Sequence, residues 1–112
     1  MVAEPSGETT TAMEFFREFV RLETVVRALV SARFGDVPRV ESSFERMIDA
    51  LFHAEMLSQG ELQRLRRLQH YRNLVFHGHL TEVDMSIVEE AKVAAARLER
   101  YLEPGILPGS LD

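Results

Sequence analysis

Residues 13–34 read MEFFREFVRLETVVRALVSARF, and this stretch decides the fold class. Its apolar residues recur every three or four positions, a spacing that gathers them on one side of a helix. The stripe comprises Phe15, Phe16, Phe19, Val20, Leu22, Val25, Val26, Leu29 and Val30. The pattern predicts a long amphipathic helix, with Thr10 or Thr11 as its N-cap and Gly35 at its end.

Three further segments, 39–57, 61–78 and 84–102, carry apolar residues with the same helical spacing. Gly35, Gly60 and Gly78 mark the breaks between the helices. No segment alternates between apolar and polar residues over a sustained length, so no strand is predicted. Short links favour antiparallel neighbours, and we expect an all-α fold, a small antiparallel four-helix bundle. The seven phenylalanines and five methionines are expected to fill its core.

Composition indicates one domain without disulfides. Residues 1–11 are predicted to be a flexible leader, 12–103 the helical domain and 104–112 a helix-free tail. The chain has no cysteine, which excludes disulfides and cysteine nucleophiles. We find neither a signal peptide nor an apolar run of about 20 residues, and therefore expect no membrane association and a cytoplasmic location.

Charge is unevenly distributed along the chain. The net charge is −5, which argues against generic binding to nucleic acid. Segment 61–80 nevertheless holds four arginines, three of the four histidines and a single acid. An acidic protein with one basic segment favours a local anion site, although a solvated basic helix face would give the same composition.

Within this segment, residues 65–80 read LRRLQHYRNLVFHGHL and form the most informative motif. At about 100° per residue, one helix face carries Arg66, His70, Asn73 and His77. Arg72 lies about 140° from His77 on a regular helix. Gly78 relaxes that constraint at the helix end, so a guanidinium and an imidazole could share one phosphate.

This motif resembles that of the HEPN family (higher eukaryotes and prokaryotes nucleotide-binding domains). Members carry an arginine, four to six residues and then a histidine, often with a polar residue after the arginine. Arg72 and His77 are separated by four residues here, with Asn73 in the polar slot. The motif also falls at the end of the third helix, where the family has it, and the helix order matches over residues 13–103.

The resemblance implies an endoribonuclease without metal or other cofactor, acting in a cleft between two protomers. Its catalytic residues would be Arg72, Asn73 and His77. Many such members are toxins or abortive-infection factors that are paired with an antitoxin. One subgroup has a tyrosine two residues after the histidine, which a partner nucleotidyltransferase modifies. His79 occupies that position here, which makes this mode of control doubtful.

The residue types fit this chemistry independently of the family. Cleavage of RNA through its 2′-hydroxyl needs a base, an acid and a cation for the charge on the phosphoryl oxygens. Histidine can act as base or acid, and arginine offers a planar fork for two phosphate oxygens. Arg66, His70 and His79 are candidate RNA or phosphate contacts, and Tyr71 could stack on a base. A second copy in a homodimer would complete the set of groups.

Two alternative functions remain compatible with the sequence. A non-catalytic HEPN-like module would bind nucleotide, RNA or a protein partner through the same residues. A plain helical dimerisation domain would use Arg72 and His77 in structural salt links, for example with Asp49 or Glu90. Exposure of Arg72 and His77 would favour the ribonuclease and the binding module over the dimerisation domain.

Overall fold

The computed structural model describes residues 9–35 and 43–103. Most of these residues lie in four α-helices: α1 (Ala12–Phe34), α2 (Phe44–His53), α3 (Gln59–Phe76) and α4 (Met85–Glu99). Two strands, β1 (Thr9–Thr11) and β2 (Glu82–Asp84), precede α1 and α4, and a 3₁₀ turn (Arg100–Leu102) follows α4. The described residues are therefore mainly helical, as predicted. None of their helices combines the length and apolar character needed to cross a membrane.

α1 forms where the apolar stripe predicts it. Its buried side chains are Phe15, Phe19, Leu22, Val25, Val26, Leu29 and Val30. Thr11 occupies the N-cap position, but its side chain makes no capping hydrogen bond, contrary to the prediction. At the other end Gly35 has a φ of 87°, a conformation that favours glycine, so the predicted C-terminus is confirmed.

The other helix starts depend on polar N-caps. The Ser43, Ser58 and Asp84 side chains accept hydrogen bonds from backbone N–H groups of α2, α3 and α4 respectively. Residues 39–42, where we predicted the second helix to begin, lie outside the described part of the chain. Gly60 was predicted to be a break, but it lies in the first turn of α3. The cap at Ser58 is strong enough to begin the helix before it.

The end of α2 differs from the prediction. The helix stops at His53, four residues before the predicted end at Leu57. Glu55 has a φ of 63°, and the N–H groups of Glu55 and Met56 donate to carbonyls of the last helical turn. These two bonds form a Schellman motif in which glutamate takes the position that glycine usually occupies. A glycine-based prediction therefore misses this helix end.

A short strand pair, which was not predicted, accompanies the helices. β1 and β2 are antiparallel, with Thr10 opposite Val83. Thr9–Thr11 was assigned to the flexible leader, but it pairs with β2 and so is ordered by main-chain hydrogen bonds. The pairing continues into α1, where the Ala12 N–H donates to the Thr81 carbonyl at 3.0 Å. It thereby holds the start of α1 beside the segment that leads into α4.

Side chains from all four helices form one apolar core. α1 packs most extensively against α4 and also contacts α2 and α3. The largest fully buried side chains are Phe15, Phe19, Leu22, Val26, Leu29, Ile48, Leu51, Leu68 and Val88. The expectation that every phenylalanine and methionine fills the core is wrong at four exposed positions in the described residues: Met13, Phe34, Phe76 and Met85. Each of these residues begins or ends a helix or lies one position inside it, where the neighbouring helices no longer cover it.

Candidate functional site

α3 is anchored at its start by a reciprocal pair of hydrogen bonds. The Ser58 hydroxyl accepts from the Glu61 N–H at 3.1 Å, and the Glu61 carboxylate accepts from the Ser58 N–H at 2.8 Å. Leu62, Leu65 and Leu68 then bury one side of the helix. This packing fixes how α3 is rotated, and it turns Arg66, Arg67 and His70 toward solvent.

The other end of α3 is set by Gly78. Its φ is 77°, its N–H donates to the Val75 carbonyl at 3.0 Å, and the His79 N–H donates to the Leu74 carbonyl at 2.8 Å. Together these bonds form a Schellman motif with His77 at the C-cap. The predicted helix end near Gly78 is confirmed. The motif also fixes the backbone of His77 and His79, two of the predicted site residues.

Arg72 and Asn73 lie together one turn before this end. The Arg72 Nη1 donates to the Asn73 Oδ1 at 3.2 Å. The Arg72 Cζ lies 5.0 Å from the centre of the Phe76 ring, within the range of a cation–π contact. Arg72 is partly buried and lines a cleft of about 210 Å³ between α1, α2 and α3, which also contains Phe19 and Glu23. These contacts hold the guanidinium in place without a carboxylate partner at ion-pair distance among the described residues.

His77 contacts the same aromatic ring. Its imidazole is exposed, 5.6 Å from the Phe76 ring centre and edge-on to it. The His79 ring, also exposed, is centred 6.4 Å from that of His77. Arg72 and His77 thus both contact Phe76. Together with Asn73 and His79, these residues form one cluster, which we call the α3-end site.

Arg66 and His70 lie outside the α3-end site. The Arg66 Nη2 donates to the Asp49 carboxylate of α2 at 2.8 Å. His70 is exposed and its nearest ring contact is Tyr71, at 6.4 Å between ring centres. Arg66 precedes Asn73 by seven residues, about 10 Å along the helix axis. The polar line predicted along α3 is therefore divided into a paired part near α2 and the α3-end site.

The acids that we considered as partners for Arg72 and His77 bind other arginines. Asp49 pairs with Arg66, and both carboxylate oxygens of Glu90 accept from the Arg67 Nη2 at 2.6 Å. The hydrogen bond that Arg67 donates to Glu90, together with the charge of that carboxylate, raises the pKa of Arg67 above its ordinary value. Among the described residues, Arg72 and His77 therefore do not make the salt links with Asp49 or Glu90 that the plain dimerisation domain would use.

Phe76 is the site residue that sequence reasoning missed. It was assigned to the core, yet 62% of its surface is exposed. Tyr71, the aromatic residue proposed for stacking, is instead partly buried against the core. Phe76 lies four residues after Arg72 and outside the leucine stripe of α3. Residues four apart on a helix are neighbours, so this spacing could have predicted an exposed ring beside the guanidinium.

The described residues were also searched for a metal centre. They contain no group of three His, Asp or Glu side chains placed to hold a metal ion. The histidines of the α3-end site contact Phe76 and each other. What the site offers chemically is a guanidinium, a carboxamide and two imidazoles around an exposed ring.

Gly78 and Gly35 allow a matched test of what fixes the α3-end site. Both have a positive φ, and a Cβ added to either would meet nothing within 4 Å. Gly78→Ala and Gly35→Ala should therefore each lower the free energy of unfolding by about 1–2 kcal/mol, through backbone strain alone. Urea unfolding checks this change in stability.

The two variants should differ in their effect on the imidazoles. Only Gly78→Ala should shift the ring resonances of His77 and His79 in an NMR spectrum, because only Gly78 belongs to the motif that holds them. Unchanged stability in both variants, or equal shifts of these resonances, would show that Gly78 does not set the geometry of the α3-end site.

Comparisons with known proteins give no information on function, which is therefore argued from the residues of the site. Neither the models of known protein families, nor curated protein sequences, nor solved structures give a match to the chain.

Proposed function

We propose that the chain has a HEPN-like antiparallel four-helix bundle and acts as a metal-independent endoribonuclease. One observation carries the proposal. Arg72, Asn73 and His77 cluster at the accessible end of α3, without an acid paired to Arg72 or His77 among the described residues. A guanidinium with no carboxylate at ion-pair distance can bind a phosphate, and an exposed imidazole can act as a general acid or base.

The proposed reaction is an attack of the ribose 2′-oxygen on the adjacent phosphorus. The bond from phosphorus to the 5′-oxygen breaks, leaving a 2′,3′-cyclic phosphate and a 5′-hydroxyl. An imidazole takes the proton of the 2′-hydroxyl, and a proton is delivered to the departing 5′-oxygen. The Arg72 fork stabilises the negative charge that grows on the phosphoryl oxygens. Asn73 contacts the guanidinium and orients it.

A homodimer would supply the second acid–base group. One chain contributes a single His77, while His79 is assigned to contact RNA, and the reaction needs both a base and an acid. Two copies that face each other across a two-fold axis bring two His77 imidazoles and two Arg72 guanidiniums to one phosphate. We therefore propose a composite site in a homodimer, with RNA as the substrate.

The remaining predicted contacts take different roles in this proposal. His79 lies close enough to His77 to contact the same RNA strand. His70 and Arg66 are further along α3 and would contact the strand outside the cleaved bond, Arg66 only by sharing its charge with Asp49. A cytoplasmic toxin or abortive-infection role, with an antitoxin or nucleotidyltransferase partner, also remains a proposal.

A non-catalytic binding module is the second candidate, and one observation favours it. Arg72 and His77 each contact Phe76, and no hydrogen bond joins their two side chains. Such a site can bind RNA or a nucleotide without bringing the imidazole to the 2′-hydroxyl. A plain dimerisation domain, the third candidate, would neither bind nor cleave RNA.

Incubation of the wild-type protein with labelled single-stranded RNA in excess chelator separates these functions. We expect cleavage without added metal, and a dimer of the same preparation in sedimentation. Cleavage that the chelator abolishes would overturn the mechanism. Binding without cleavage would establish the binding module, and loss of both would leave the dimerisation domain.

A further inference from the structure

The ring of Phe76 is exposed because the neighbouring helices stop covering α3 before its end. It ends α3 and keeps 62% of its surface accessible, although an exposed phenylalanine loses the free energy that burial would provide. Its contacts are with polar groups: the Arg72 guanidinium 5.0 Å from the ring centre and the His77 imidazole at 5.6 Å. These contacts hold the ring while leaving much of it open.

We propose that Phe76 stacks on an unpaired base of a bound RNA strand. The inference rests on the proposed function of the α3-end site and names how that site holds its substrate. Aromatic side chains beside cations are a common means of binding single strands, because the ring takes the base while the cation takes the backbone phosphate. At the α3-end site one ring and one free guanidinium are already in contact.

The surroundings of the ring favour a nucleobase over an apolar protein surface. A protein-docking patch is usually a continuous apolar area, whereas Phe76 is bordered by Arg72, His77 and, beyond them, Asn73 and His79. A base stacked on Phe76 carries its ribose and phosphate at its edge. The Arg72 guanidinium and the His77 imidazole lie 5.0 and 5.6 Å from the ring centre, so stacking would bring the phosphate close to both groups.

This arrangement determines which RNA is bound. A base in a duplex is already stacked and paired, so Phe76 selects single strands and loops. All four bases present a π face, and we therefore expect little preference among them from this contact. Phe76 thus makes the protein specific for single-stranded over double-stranded RNA.

The chain itself supplies a clean probe, because it contains no tryptophan. Phe76→Trp introduces a single indole fluorophore at the proposed platform. Phe34→Trp is the matched control, since Phe34 also ends a helix, is 47% exposed and has an arginine, Arg33, 5.2 Å from its ring centre. It lacks the histidine and asparagine neighbours that Phe76 has.

Both variants are titrated with a short single-stranded 2′-O-methyl oligoribonucleotide, which resists cleavage through the 2′-oxygen. Saturable quenching is expected for Phe76→Trp, with a much smaller response to an abasic ribose-phosphate oligomer, and no saturable change for Phe34→Trp. In anisotropy titrations of the labelled oligomer, Phe76→Ala should weaken binding about tenfold or more, and Phe34→Ala should not. Equal responses of the two tryptophan variants, or equal binding of the abasic oligomer, would overturn the proposal.

Further outcomes separate this inference from the ribonuclease proposal. Binding through Phe76 without cleavage of ordinary RNA would contradict the ribonuclease proposal and support the stacking proposal. Cleavage by Phe76→Ala at wild-type affinity refutes the stacking site alone. A Phe76→Ala protein that becomes monomeric in sedimentation would show that the ring is an interface between copies, and absence of any wild-type binding would overturn both proposals.

Discussion

Replacement of His77 by alanine is expected to abolish RNA cleavage, lowering the rate by about 10²–10⁴-fold. The imidazole of His77 can act as a general acid or base, which the carboxamide of Asn73 and the ring of Phe76 cannot. Its ring is exposed at the helix end and contributes little to the apolar core, so His77→Ala should fold normally. The measurement is the initial rate of cleavage of a labelled single-stranded RNA in chelator, together with thermal unfolding.

His53→Ala is the matched control for this prediction. His53 is also an exposed histidine at the end of a helix, but it belongs to α2 and its Nδ1 contacts the Asp49 carbonyl. We expect it to cleave at the wild-type rate. Wild-type cleavage by His77→Ala, or an equal loss in both variants, would exclude His77 as the acid–base group.

Arg72→Lys should lower the cleavage rate by about 10²–10³-fold even though the positive charge is kept. A lysine ammonium is a point charge that cannot bind two phosphate oxygens with the planar fork of a guanidinium. The substitution also removes the hydrogen bond to Asn73 and the flat group beside the Phe76 ring. The loss should appear mainly in kcat/KM for RNA, because both binding and transition-state stabilisation use the fork.

The control for Arg72→Lys is Arg33→Lys at the end of α1. Arg33 lies beside an exposed phenylalanine at nearly the same distance as Arg72, so it reproduces the cation–π contact without the rest of the α3-end site. Arg33→Lys should cleave normally. Full activity of Arg72→Lys would mean that any cation suffices, and the phosphate contact proposed here would be wrong.

The helices could be predicted because burial imposes a spacing on the sequence. In α1 the stripe from Phe15 to Val30 alone defines the helix and its inward face. Helix ends were predictable only where residue type and backbone conformation agree. Gly78 has the positive φ expected of a glycine that ends a helix. Glu55 has a similar φ, which cannot be predicted from the residue type because glutamate rarely adopts it.

The strand pair could not be read from the sequence because each strand has only three residues. Alternation needs a longer run to be recognised, and Thr9–Thr11 shows none. Their order comes from pairing with a segment about 70 residues later in the chain, which is a tertiary effect. Local composition therefore misassigned them to the leader.

The candidate site was predictable to the extent that its residues are close in sequence. Arg72, Asn73 and His77 lie within six consecutive positions on a single helix end, so local geometry brings them together. The ion pair of Arg66 could not be predicted in this way, because it depends on the packing of α2 against α3, which brings Asp49 close to Arg66. The exposure of Phe76 likewise depends on where the neighbouring helices stop covering α3.

Mass spectrometry of the reaction products tests the central claim most directly. The wild-type protein is incubated, in excess chelator, with a single-stranded oligoribonucleotide and with the 2′-deoxy oligomer of the same sequence. We predict that the ribose oligomer is cut into fragments with 2′,3′-cyclic phosphate and 5′-hydroxyl ends, while the deoxy oligomer remains whole. An intact ribose oligomer, or fragments with 5′-phosphate ends, would contradict cleavage by Arg72 and His77 through the 2′-hydroxyl.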